Sequence, residues 1–144
     1  MALDWVEKHI KLYLEDPEKA HDWDSSTVGS SAGILPTLLL ISKGRKSGED
    51  RMLPLIYKKI GNSYVIIASK GGAPAHPSWY LNLVATPQAR IHAGKQQLDV
   101  VARTASGDER SKAWAELAEV YPPYDEYRER AEPREIPVVM LDPA

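Results

Sequence analysis

The chain contains no cysteine. Disulfides, thiolate nucleophiles and cysteine-based metal sites are therefore excluded. No apolar run approaches the roughly 18 residues that a membrane-spanning helix needs. The opening Met1-Ala2-Leu3-Asp4-Trp5 lacks the basic head and long apolar centre of a secretory signal, so a cytoplasmic location is expected. Paired metal-ligand spacing is missing too: His9, His21, His76 and His92 stand apart, and no His-Glu-x-x-His occurs. No Gly-x-Ser-x-Gly supplies a hydrolase nucleophile. The Walker spacing of nucleotide hydrolases is likewise absent. His9 reads as a helix-surface residue and His92 as one face of a strand. Only His76 has a suggestive position, beside a basic turn and before a helix start.

What remains is an ordinary soluble composition in 144 residues, 43% hydrophobic and 26% charged, which fits one domain. The net charge is −2 but unevenly spread. Residues 43–70 carry seven bases (Lys43, Arg45, Lys46, Arg51, Lys58, Lys59, Lys70) against Glu49 and Asp50, so that segment is +5 and the remainder −7. A basic segment in an acidic chain points to a small anionic ligand more than to nucleic acid, which calls for a broadly basic surface. Solvated strand-edge lysines would give the same count.

Two turns concentrate that charge. Gly44-Arg45-Lys46-Ser47-Gly48 and Ser69-Lys70-Gly71-Gly72 are glycine-bracketed, basic, and border β-type runs. Glycine lets backbone N–H groups approach an anion closely, and the bases add charge. On neighbouring strands the two would make a cradle for a phosphorylated cofactor.

The periodicity gives the frame. Leu3, Val6, Ile10 and Leu14 fall at helical spacing, so residues 2–15 read as an amphipathic helix ended by Asp16-Pro17. Residues 17–36 read as a polar loop. Strands are predicted over 37–42, 51–60 and 64–69, the last two joined at Gly61-Asn62-Ser63, then over 88–93 and 96–104 around Gly94-Lys95, and over 136–141. Pro77 suits the first turn of a short helix over 77–85. Ser106-Gly107-Asp108-Glu109 has the form of a capping box and opens a helix to about Val120. Short connections favour antiparallel pairing. The fold class is mainly β with peripheral helices, an antiparallel barrel. Residues 1–36 form an N-terminal helix and polar loop ahead of the barrel at 37–144.

A third cluster, Tyr121-Pro122-Pro123-Tyr124-Asp125-Glu126-Tyr127, repeats tyrosine every third residue. On a helix that spacing keeps the rings within about 120° of one another. Such a wall can stack on a planar ligand and offer O–H donors, or it can pack the last helix on the barrel.

Taken in order, these motifs resemble the deazaflavin-dependent nitroreductase and quinone reductase family. The resemblance rests on Gly44-Arg45-Lys46-Ser47-Gly48 with Arg51 and Pro54-Leu55 after it, on Ala68-Ser69-Lys70-Gly71-Gly72, on Pro77-x-Trp79-Tyr80-Leu81-Asn82-Leu83, on Tyr121-Pro122-x-Tyr124-x-x-Tyr127 and on Arg134-x-Ile136-Pro137-Val138-Val139. It runs from about Leu38 to Pro143, and the stretch before it matches least.

The resemblance implies a split β-barrel of the FMN-binding type that uses coenzyme F420, a flavin analogue with carbon at position 5. It implies hydride transfer to a quinone, nitroaromatic, enone or tetrapyrrole. Arg45, Lys46, Ser47 and Arg51 would hold the cofactor's phosphate and anionic tail. Ser69, Lys70, Gly71 and Gly72 would wrap it, and Pro77 and Trp79 would complete that wall. Tyr121, Tyr124 and Tyr127 would line the acceptor side, with Tyr124 donating or orienting and Ser69 near the reacting carbon. Ile56 stands where some relatives carry an aromatic residue. The expected partners are the cofactor and a planar acceptor, without nucleic acid or membrane span. Barrels of this kind commonly form homodimers. An FMN-dependent enzyme, or a module that holds a flavin or tetrapyrrole without turnover, would use the same cations.

Overall fold

A computed structural model of the chain describes residues 4–24 and 33–144. Its spine is β2 (Ile34–Lys43), where Leu38, Leu39 and Leu40 have no solvent exposure. The run is continuous because β2 is covered on both faces and paired along both edges. It pairs antiparallel with β3 (Asp50–Ile56), placing Leu39 opposite Pro54, and with β6 (Gln88–Ala93), placing Leu39 opposite His92. Alternation sends Leu38 and Leu40 into a core with Trp79, Ile91 and Leu141. Leu39 goes to the other face, against Tyr13 of α1 (Asp4–Glu15) and Ala20 of α2 (Pro17–His21). Each such leucine contributes about 2 kcal/mol of burial. Pro54 is tolerated because β3 pairs only with β2, so the missing N–H faces no partner strand.

The remaining strands are β1 (Asp22–Asp24), β4 (Lys58–Ile60), β5 (Ser63–Ile67), β7 (Gln96–Thr104) and β8 (Val138–Pro143). The sheet order is β1-β2-β6-β7-β8-β5-β4, with β3 on β2 and every described pairing antiparallel. The sheet curls into an antiparallel barrel, as the short connections predict, and it is of the split type that the resemblance implies. α4 (Gly107–Val120) and α5 (Pro123–Ala131) close one side through Trp114, Leu117 and Tyr124, packed on Ile67, Val138 and Met140. α3 (Ser78–Ala85) plugs the other side with Trp79 and Leu83. No described helix is long and apolar enough to cross a membrane.

Several expectations are corrected. The loop expected over residues 17–36 contains α2 and β1: Asp16 accepts from the Lys19 N–H and Pro17 occupies the first turn, so Asp16-Pro17 both ends one helix and starts another. β1 then pairs with the head of β2, Trp23 opposite Leu35. The serine-rich part, residues 25–32, lies outside the described residues. The single strand expected over 51–60 breaks at Tyr57, where the chain leaves its β2 partner and turns to pair with β5. Tyr57 is fixed at that break by its N–H to the Pro36 carbonyl (3.2 Å) and its hydroxyl to His21 Nε2 (2.8 Å). The capping box does not form. Helix α4 starts as expected, but Ser106 makes no side-chain cap and Glu109 instead holds Arg103 with both oxygens. Pro77 precedes α3 as its N-cap rather than sitting in the first turn. His9 is not on the surface: it is 5% exposed, and its Nε2 donates to the Ala20 carbonyl at 2.8 Å. Burial lowers its pKa.

Candidate active site

A cleft of about 890 Å³ opens between α1, β3, the Lys70–Gly72 turn, the start of α3 and the tyrosines around α5. Of the residues assigned above to the cofactor and the acceptor side, all but Gly72 line it: Arg45, Lys46, Ser47, Arg51, Ser69, Lys70, Gly71, Pro77, Trp79, Tyr121, Tyr124 and Tyr127. His76 does not.

The first basic turn, which joins β2 to β3, is held by its backbone. Gly44 N–H donates to the Glu49 carbonyl and Gly48 N–H to the Gly44 carbonyl, both at 2.8 Å. Glycine at 44 leaves room for the side chains of the turn: a Cβ there would stand 2.9 Å from Ser47 Oγ and 3.2 Å from Arg51 Nε and would push them aside. Arg51 donates to Ser47 Oγ at 3.3 Å, so the turn is tied across its own mouth. Arg45 is anchored from α3, with its N–H and its guanidinium both donating to Asn82 Oδ1 (3.1 and 2.8 Å). The Lys46 ammonium has no acidic partner among the described residues.

The second turn continues from β5 as a single 3₁₀ turn, Lys70–Gly72, with positive φ at three consecutive positions: 48° at Lys70, 64° at Gly71 and 83° at Gly72. Left-handed backbone at a lysine costs about 1–2 kcal/mol and marks a position held by its surroundings. Gly72 packs away from the cleft against α5, where a Cβ would meet the Tyr127 carbonyl and Arg130 Cβ at 2.8 Å. Gly72 and Ala73 N–H groups close on the Ser69 and Lys70 carbonyls. The N–H groups of Lys70 and Gly71 have no protein partner among the described residues. Two donors without a described partner, on the turn that carries the Lys70 ammonium, have the makeup of an anion-binding nest.

The tyrosines meet, but not as one helical stripe. Tyr121 lies outside α5 as the C-cap of α4, and only Tyr124 and Tyr127 are on α5. Their rings still interlock, with centroids 5.0 Å apart for Tyr121–Tyr124, 6.1 Å for Tyr121–Tyr127 and 6.3 Å for Tyr124–Tyr127. Tyr121 and Tyr127 hydroxyls are 3.1 Å apart. Tyr124 is 4% exposed, and its hydroxyl has no protein partner among the described residues. Burial, reinforced by Tyr121 and Tyr127, pushes its pKa well above the usual phenol value, so it remains a neutral O–H donor.

The sequence reading missed two parts of the site. Asn82, the anchor of Arg45, is a buried amide between Leu81 and Leu83. A polar residue inside an apolar helix was the available signal. The far wall is formed by α1 and β1: Trp5 stacks on Trp23 (5.3 Å, 27°) and Trp23 on His9 (6.0 Å, 16°), and all three line the cleft. Nothing local in the sequence places these N-terminal aromatics against a barrel that begins later in the chain.

The family model for F420H(2)-dependent quinone reductase matches residues 17–143. The chain is 33% identical over 145 aligned positions to an F420H(2)-dependent quinone reductase of Mycobacterium tuberculosis (strain ATCC 25618 / H37Rv), covering 95% of each. A solved F420-H2 dependent reductase (FDR-A) superposes with a TM-score of 0.69 at 41% identity, covering 74% of this chain and 94% of that one. A second structure, described as a domain-swapped dimer, superposes at 0.72 with 34% identity, covering 99% of this chain and 100% of that one. With the split barrel, the paired basic turns and the tyrosine wall in place, these matches show that the chain belongs to the F420H(2)-dependent quinone reductase family, oxidoreductases whose cofactor is coenzyme F420.

Proposed function

We propose that this protein reduces quinones with F420H2, binding the cofactor along the two basic turns and the acceptor between it and the tyrosines. The observation that carries the reading is one cleft lined both by the cationic, donor-rich turns and by the three tyrosines, with the Tyr124 hydroxyl unpaired among the described residues. The donor set fits the cofactor. Lys46 and Lys70 are free to take its phosphate and carboxylates, Arg45 and Arg51 flank them in fixed positions, and the Lys70 and Gly71 N–H groups suit a carbonyl or anionic ring edge.

When bound, the deazaflavin supplies the hydride. The protein's part is to orient and to exclude water. Pro77 and Trp79 form one wall of the cleft, and Leu53, Leu55 and Ile56 another. Tyr124 donates its O–H to the acceptor oxygen on which negative charge grows. The Tyr121–Tyr127 hydroxyl pair holds the neighbouring rings in place around it. Ser69 lines the same cleft at the entry to the second turn. Nitroaromatics, enones and tetrapyrroles are further acceptors consistent with a planar, aromatic-walled slot. A homodimer is the proposed assembly, supported by the dimeric relative, and a cytoplasmic location suits a cysteine-free reductase.

The direct test is anaerobic mixing of the protein with F420H2 and a soluble naphthoquinone, following the return of oxidised-cofactor absorbance. Turnover that saturates in both substrates supports the proposal. Stoichiometric binding of F420H2 without oxidation by any quinone would make this a cofactor carrier.

A further inference from the structure

Arg134 lies between α5 and β8 and does not line the cleft, yet it makes four contacts to the segment that carries the second basic turn. Its Nε donates to the Ala73 carbonyl (2.9 Å), one terminal nitrogen to the Ser69 carbonyl (2.8 Å), and the other to the Ala68 carbonyl (3.2 Å) and to His76 Nδ1 (3.0 Å). No carboxylate pairs with it among the described residues, and Glu135 beside it is taken by Arg110 at 3.1 Å. A guanidinium partly withdrawn from water and matched only by carbonyls and an imidazole is there for its hydrogen-bond fork, not for an ion pair.

The three carbonyls bracket Lys70–Gly72 in sequence, two before and one after. That turn has three successive left-handed residues, one of them a lysine. It needs external restraint, and Arg134 ties both of its ends to one rigid plane. With those carbonyls drawn to Arg134 and the Gly72 and Ala73 N–H groups closed internally, the Lys70 and Gly71 donors are what the turn has left for the cleft. His76 fixes the fork in turn. It accepts at Nδ1 and so is the neutral Nε2–H tautomer, with its ring against Tyr80 at 5.0 Å.

We propose that Arg134 is a positioning residue for cofactor binding: it holds the Lys70–Gly72 turn in its donor-presenting shape, and neutral His76 holds Arg134. The proposal rests on reading that turn as the seat of F420. It carries a pH consequence. The groups facing His76 are the Arg134 cation and the Tyr80 ring, with no acid among the described residues. Burial, then Arg134, lowers the His76 pKa. Protonation removes the acceptor and sets two cations against each other, so the clasp loosens on the acid side of the ordinary value, 6.5.

The test compares wild type, Arg134→Lys, Arg134→Ala and His76→Asn in F420 fluorescence titrations, steady-state kinetics, and amide exchange of the cofactor-free protein. Arg134→Lys keeps the charge and loses the fork. It should weaken F420 binding and raise the cofactor KM about tenfold, leave kcat within about twofold, and speed exchange over residues 69–73 while the sheet stays at wild-type rates. Should Arg134→Ala fail to fold, Arg134→Lys and His76→Asn carry the test. His76→Asn retains an acceptor and should bind as wild type at pH 7 but lose the weakening seen in wild type below 6.5. Wild-type affinity in Arg134→Lys would overturn the proposal alone. Weaker binding in Arg134→Lys without faster exchange over residues 69–73 would also overturn it, since the loss would then not come from a loosened turn. Wild type that binds no F420 would overturn the underlying reading of the turn.

Discussion

At the basic end of the cleft, Arg45, Lys46, Arg51 and Lys70 are exposed and the backbone beneath them is what is fixed, by Gly44, by Asn82 and by the left-handed turn at Lys70–Gly72. At the aromatic end the reverse holds: Tyr121 and Tyr124 are buried, their rings interlock, and the chain reaches them from two helices. The difference follows from the ligands each end would meet. An anionic tail is held by charge at some distance and tolerates mobile lysines, whereas a hydride acceptor must be placed within tenths of an ångström. The first end is preorganised in its main chain, the second in its side chains.

The sharpest way to break this comparison is inside the second turn. Gly72→Ala puts a Cβ 2.8 Å from the Tyr127 carbonyl at φ 83°, so it couples the two ends directly. It should cost about 3 kcal/mol in denaturant unfolding, from backbone strain and overpacking together. Gly71→Ala, at φ 64° with open space around it, should cost only about 1 kcal/mol. Equal costs would mean that the packing of the turn on α5 is unimportant. The double substitution Lys46→Ala/Lys70→Ala should leave the melting temperature unchanged, because neither ammonium has a partner among the described residues, and should weaken F420 binding about a hundredfold. A stability loss without an affinity loss would make the lysines structural. Tyr124→Phe should do the opposite kinetically: about a tenfold fall in kcat, cofactor affinity unchanged, and no loss of stability, since its hydroxyl has no partner to abandon among the described residues. Because its pKa is raised, the wild-type rate should show no alkaline loss from Tyr124 near the ordinary phenol value of 10.0.

The smallest effect tests the N-terminal wall. Burial lowers the pKa values of His9, His76 and His92 from 6.5. The unfolded chain then binds more protons than the folded one as pH falls below 6.5, so stability declines on the acid side and is flat above it. His9→Gln keeps a donor for the Ala20 carbonyl and removes the titration. Its melting temperature should match wild type at pH 7.5 and fall less steeply between pH 6.5 and the lowered folded value. An identical acid slope would assign the dependence to the other two histidines.

The same contrast explains what the sequence could disclose. The basic end was readable because glycine at a turn and bases beside it are local signals, and local geometry gives them their meaning. The hairpin of β6 and β7 was readable to the residue, Gly94-Lys95 fixing its register. The tyrosine wall was readable as a cluster but not as a shape, since spacing of three implied one helix and Tyr121 belongs to the end of another. Tyr57 marks a switch of strand partner, which is a tertiary event that the alternation over 51–60 does not record. Glu109 bonding Arg103 in place of Ser106 shows a local rule losing to a bidentate ion pair. The aromatic wall of Trp5, His9 and Trp23 depends wholly on where α1 docks, and no pattern within α1 states that.

The central claim is that the cationic end of this cleft selects a deazaflavin cofactor. Its most direct test is a fluorescence titration of the purified protein with oxidised F420, with FMN in parallel. Saturable F420 binding that weakens on Lys46→Ala, together with much weaker FMN binding, is the result the account predicts. Preference for FMN, or F420 binding indifferent to Lys46 and Lys70, would contradict it.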